Sequence, residues 1–76
     1  MSITASQCRG ARAMLDWTQE DLAEKTGLTV NTISSFENGD HTPHDSNRRK
    51  IREALEAGGI EFIERGNGGP GARLRG

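Results

Sequence analysis

Val30, Asn31, Thr32 and Ser35 are four short, uncharged side chains within six residues. Together they offer an amide that both donates and accepts, two hydroxyls, and methyl groups. Those are groups able to read base edges in a DNA major groove. Catalytic chemistry finds no comparable set. His41 and His44 sit close together on one segment, so no nucleophile, base and orienting group can be assembled around them. With Asp45 they also lack a third strong ligand for a metal. Cys8 is the only cysteine, which excludes an internal disulfide and a cysteine-based zinc cage. Gly66-Asn67-Gly68-Gly69-Pro70-Gly71 has the glycine content of a phosphate loop. It lacks the Lys-Ser/Thr ending and a following helix, so it reads as a loop. The expectation is a non-enzymatic protein with no cofactor and no metal.

Four threonines mark where the elements that carry these side chains should begin. Thr4-Ala5-Ser6-Gln7 is a capping box, in which hydroxyl and amide each satisfy a free backbone N–H. Ile3 and Cys8 supply the matching hydrophobic staple, and a first helix runs to about Leu15. Thr18 opens a second helix with Asp21 as its third-position carboxylate, favoured there by the helix dipole. Trp17 and Leu22 form the second staple. This helix stops at Gly27, which can take a left-handed conformation that other residues resist. Thr29 caps a third helix, with Leu28 and Ile33 repeating the staple, and it ends near Asn38-Gly39. Thr42-Pro43 predicts a fourth start, a cap followed by proline at the first helical position. That helix reaches Ala57, buries Ile51, Ala54 and Leu55, and ends at Gly58-Gly59.

The link Thr26-Gly27-Leu28 is short, so it turns the third helix sharply across the second and exposes its N-terminal half. Ala23 must be small for the two to approach. Leu22, Leu28, Ile33 and Phe36 form the apolar side, leaving Val30, Asn31, Thr32 and Ser35 outward. Beyond Gly59 the pattern changes. Residues 60–64 and 72–75 read as two short strands around a glycine-rich loop over 65–71.

The net charge of the 76-residue chain is −1, with 32% hydrophobic and 28% charged residues. A DNA binder is usually basic, so any attraction to phosphates must be local. Arg48, Arg49, Lys50 and Arg52 are either a phosphate-binding edge or a solvated face that Glu53 and Glu56 partly balance. No apolar stretch is long enough for a membrane span, and the first residues lack the regions of a signal peptide. A cytoplasmic location is expected.

The joint pattern Ala11-Arg12, Trp17 to Ala23, Gly27-Leu28-Thr29, Thr32-Ile33-Ser34, Phe36 to Gly39 and Pro43 resembles the Xre/Cro-type, lambda-repressor-like helix-turn-helix family. The resemblance covers residue 4 to about residue 57. It implies a mostly α, four-helix domain, here with a short C-terminal β extension. It also implies roles for matching residues. Gln19 would touch a phosphate and brace the start of the third helix, while Thr29 and Asn38 would bond phosphates. Val30, Asn31, Thr32 and Ser35 would read bases, and Arg12 and Glu37 would form a structural salt bridge. Val30, Ser35 and Asp40 depart from relatives that carry longer polar or basic side chains there.

The reading is therefore a helix-turn-helix DNA-binding domain over residues 1–59 and an extension over 60–76. Its partner is double-stranded DNA, and its function is transcriptional regulation. The two strands could pair as a hairpin, but an isolated two-stranded ribbon is marginal in water. Pairing with a second copy, giving a homodimer, is expected. The rival reading is a protein-interaction module, an antitoxin or adaptor whose tail grips a protein partner.

Overall fold

A computed structural model of the chain describes residues 3–64 and 71–75. Four helices, α1 (Ala5–Met14), α2 (Gln19–Thr26), α3 (Val30–Glu37) and α4 (Asp45–Ala57), precede two strands, β1 (Ile60–Ile63) and β2 (Gly71–Leu74). The threonine caps explain three of the helix starts. Thr4 Oγ1 accepts from the Gln7 N–H at 3.1 Å while the Thr4 N–H donates to Gln7 Oε1 at 2.9 Å. Thr18 and Asp21 repeat the exchange at 3.0 and 2.9 Å. Thr29 Oγ1 accepts from the Thr32 N–H at 3.2 Å. Each bond satisfies a first-turn donor that has no partner within the helix.

The fourth start differs from expectation. α4 begins at Asp45, and His44 occupies the cap position without a side-chain bond. Pro43 is buried and precedes the helix rather than sitting in its first turn. The His44 carbonyl instead accepts from the Asn47 and Arg48 N–H groups, both at 3.0 Å. Ala54 is half-buried, so Ile51 and Leu55 form the apolar stripe of α4.

One core joins all the helices and the extension. Ile3, Cys8, Ala11, Leu22, Ala23, Ile33, Phe36, Ile51, Leu55 and Ile60 are buried together, with Trp17, Leu28 and Phe62 packed against them. β1 and β2 pair antiparallel within the chain, with Ile60 opposite Leu74 and Phe62 opposite Ala72. The marginal ribbon is stabilised because β2 packs on α1 and β1 on α4. β1 ends at Ile63 and β2 begins at Gly71, one residue short of and one residue before the predicted bounds. The loop expected over residues 65–71 lies outside the described residues except for Gly71.

Candidate nucleic-acid interface

The turn between α2 and α3 is built by side-chain bonds to backbone. Thr26 Oγ1 donates back to the helix carbonyls, 2.8 Å from Leu22 O and 3.1 Å from Ala23 O, and accepts from the Leu28 N–H at 3.3 Å. Gly27 reverses the chain at φ 74°, a left-handed conformation that carries a steric cost for most side chains. Ala23 is buried in the shared core, on the helix that packs against α3.

This turn leaves the first turn of α3 at the surface. Val30 is 37% exposed, and Thr29 and Asn31 are exposed, whereas Thr32 and Ser35 are half-buried. Asn31 makes no side-chain hydrogen bond among the described residues, so its amide is unengaged. Thr32 differs, since its Oγ1 lies 2.9 Å from Thr29 Oγ1 and one hydroxyl donates to the other. At the far end of α3, Asn38 is exposed and its Nδ2 donates to Ser34 Oγ at 3.4 Å.

Behind the exposed face, Glu37 ties α3 to both other helices of the unit. Its carboxylate is buried to 1% exposure and accepts from Arg12 Nε and Nη2, both at 2.9 Å. Arg12 spends its remaining Nη1 on the Trp17 carbonyl at 2.9 Å. Gln19 Nε2 adds a bond to Glu37 Oε1 at 3.1 Å. The expected brace from Gln19 therefore reaches the end of α3, not its start. The buried carboxylate, with lone pairs to spare, is the stronger acceptor in reach.

Two members of this cluster escaped sequence reasoning. Cys8 Sγ donates to Glu37 Oε2 at 3.3 Å, and Arg9 Nη1 bonds the Glu37 carbonyl. Cys8 and Arg12 are four apart on one helix face, a spacing that could have signalled a shared partner. Burial by itself pushes the Glu37 carboxyl up, but bonds from Arg12, Gln19 and Cys8 and the Arg12 charge outweigh it and hold the group below its ordinary range. The same cluster raises the Cys8 thiol, first by burial and then by the Glu37 charge, which disfavours the thiolate.

Gln7 is also buried, and its amide does more than cap. Nε2 donates to the Gly71 carbonyl at 3.0 Å and the Ile63 carbonyl at 3.4 Å, clamping the hairpin to α1. On α4, Arg48 pairs with Asp45, and Arg52 with Glu56 at 3.5 Å, so part of that basic row is internally neutralised. No helix among the described residues is long and apolar enough to cross a membrane.

No curated protein matches the chain. A family model described as helix-turn-helix matches residues 9–63, a span that includes every side chain of the Glu37 cluster except Cys8 and the whole exposed turn of α3. With four helices, a tight α2–α3 turn and a mostly α core finished by a short hairpin, the chain belongs to the Xre/lambda-repressor-like helix-turn-helix family of DNA-binding regulators.

Proposed function

We propose that the chain is a sequence-specific transcriptional regulator that lays α3 in the major groove of operator DNA and acts as a symmetric dimer in the cytoplasm. The observation that carries this reading is the first turn of α3. It is exposed, holds an unengaged Asn31 amide, and is fixed from behind by the Glu37 cluster. Val30, Asn31, Thr32 and Ser35 are assigned to base edges. Thr29, Asn38 and the half-buried Gln19 are assigned to flanking phosphates, while Arg12 and Glu37 hold the geometry. The protein carries no catalytic role.

Residues 1–59 are assigned to DNA and 60–76 to dimerisation. Since the Arg75 N–H bonds Gly59 O at 2.8 Å, the alternation of the ladder turns the backbone groups of Ala72 and Leu74 to the outer edge of β2. Leu74 is 49% exposed there, a sticky edge that a second copy would cover. The dimer must set its two recognition helices about 34 Å apart to enter successive major grooves. Sedimentation of the full chain and of Leu74→Glu tests this. A monomeric wild type at high micromolar concentration refutes the dimer and leaves the helix-turn-helix reading intact.

The net charge of −1 and the exposed Leu74 favour a second reading, in which the tail grips a protein and the chain serves as an antitoxin or adaptor. Salt dependence separates the two. A DNA-binding α3 face gives retention on heparin or random duplex at low salt. Its log–log slope steepens by about 0.9 for each phosphate contacted. A flat affinity between low and moderate salt moves the assignment to the protein partner.

A further inference from the structure

We infer that α3 reads A·T pairs directly, with Asn31 hydrogen-bonding adenine and the methyls of Val30 and Thr32 packing on thymine methyls. This rests on the DNA-binding reading above and specifies its ligand. The argument is an accounting of what α3 has left to offer a base edge. Guanine is read best by the fork of an arginine or by a lysine, and α3 contains neither. Cytosine N4 is read by an acidic acceptor. The only carboxylate of α3 is Glu37, buried and already accepting from Arg12, Gln19 and Cys8.

The hydroxyls are restricted too. Thr29 Oγ1 caps the helix through the Thr32 N–H, and Thr32 Oγ1 lies 2.9 Å from it. The hydroxyl of Thr32 bonds either kind of pair, so the part of this side chain that discriminates is its methyl. Asn38 and Ser34 bond each other at 3.4 Å, near the other end of the helix. What remains on the exposed turn is the Asn31 amide, flanked in sequence by two β-branched side chains. An amide that donates and accepts at once matches adenine N6 and N7, and methyls match the thymine C5 methyl. Ser35 keeps its hydroxyl, but serine bonds either kind of pair and adds no discrimination.

The test selects binding duplexes from a random library with the full-length protein, then measures affinities for the winning duplex. A·T pairs should dominate the core of each half-site. Replacing one or two thymines by deoxyuridine, which removes only the C5 methyl, should weaken binding about 4-fold each, the value of one buried methyl group. Asn31→Ala should lower the ratio of selected to random affinity by about 5- to 150-fold, the range for one bidentate contact, with random affinity little changed. Both Asn31 and Val30 are exposed, so Asn31→Ala and Val30→Ala leave the core intact, and Val30→Ala should abolish sensitivity to one of the deoxyuridines. Half-sites with G·C at the contacted positions overturn the inference while leaving DNA binding in place. So does A·T enrichment that ignores both deoxyuridine and Asn31→Ala, since that marks readout of duplex shape. If no duplex is enriched, the sequence-specific reading of the proposed function falls and takes this one with it.

Discussion

Replacing Glu37 by glutamine keeps the shape of a buried hub and removes its charge. The carboxylate is 1% exposed and accepts four bonds, two from Arg12 at 2.9 Å, one from Gln19 at 3.1 Å and one from Cys8 at 3.3 Å. A glutamine must turn an N–H₂ toward donors and leaves the Arg12 charge without its counterion. Breaking a buried pair in this way costs about 3–5 kcal/mol. Arg12 is 21% exposed and keeps its bond to the Trp17 carbonyl, which places the cost at the low end, about 3 kcal/mol. A chain of this length has a total stability of only about 4–11 kcal/mol, at roughly 0.05–0.15 kcal/mol per residue. The variant should therefore melt about 12–24 °C lower, at 4–8 °C per kcal/mol for a domain this small. Helix signal followed in thermal and urea melts of wild type, Glu37→Gln, Arg12→Met and the double variant closes a thermodynamic cycle. A coupling of about 1–3 kcal/mol is expected for groups in direct contact. Coupling near zero would refute the idea that the two side chains hold each other. The pH dependence adds a signed check. The folded carboxyl lies below its ordinary 4.5, so its stabilisation is complete above that pH and is lost as pH falls through the lower folded value. Asp21, also lowered, by its bonds to Thr18, acts with the same sign. The informative quantity is thus the difference between wild type and Glu37→Gln, which should shrink on acidification.

Gly58→Ala should destabilise by about 1–3 kcal/mol, the usual penalty for overpacking. Its Cβ would lie 2.8 Å from Trp17 Cη2 and 2.9 Å from Leu15 Cδ1, and Trp17 fluorescence should shift with it; an unchanged melt and spectrum would show that the ring moves freely. Asp16, two residues past α1, adopts φ 59° with its side chain exposed, so Asp16→Gly should raise stability by about 0.5–1 kcal/mol through relief of the left-handed strain. A lower melting temperature would mean that the aspartate contributes something beyond its backbone position. Truncation after Gly59 removes Ile60, which is fully buried, and Phe62 beside it. Loss of a buried isoleucine alone costs about 2–5 kcal/mol, so the truncated chain should lose much of its helix signal at 37 °C; full retention would make the hairpin a dispensable arm.

The helix caps, whose partners lie three residues away, were legible in the sequence alone. The bonds from Thr4 to Gln7, Thr18 to Asp21 and Thr29 to Thr32 each join residues three apart, so type and spacing suffice to read them. The reversal at Gly27 follows equally from one residue's backbone freedom. Those local signals fix the order of the helices and the exposure of α3, and with them the family. The tertiary structure decided the competitions for partners between distant segments. Thr42-Pro43 carried a valid start signal, yet Pro43 is buried ahead of the helix, which begins two residues later at Asp45. Gln19 could bond many groups, and only the packing of α2 across α3 brought a buried carboxylate within 3.1 Å. Cys8 reads in sequence as half of a hydrophobic staple, and its bond to Glu37 needs α1 and α3 to meet across 29 residues of chain; the second use of the Gln7 amide spans 64. Two short strands that would be marginal as a ribbon became part of the core for the same reason: side chains on α1 and α4 gave Ile60 and Phe62 a surface to bury against.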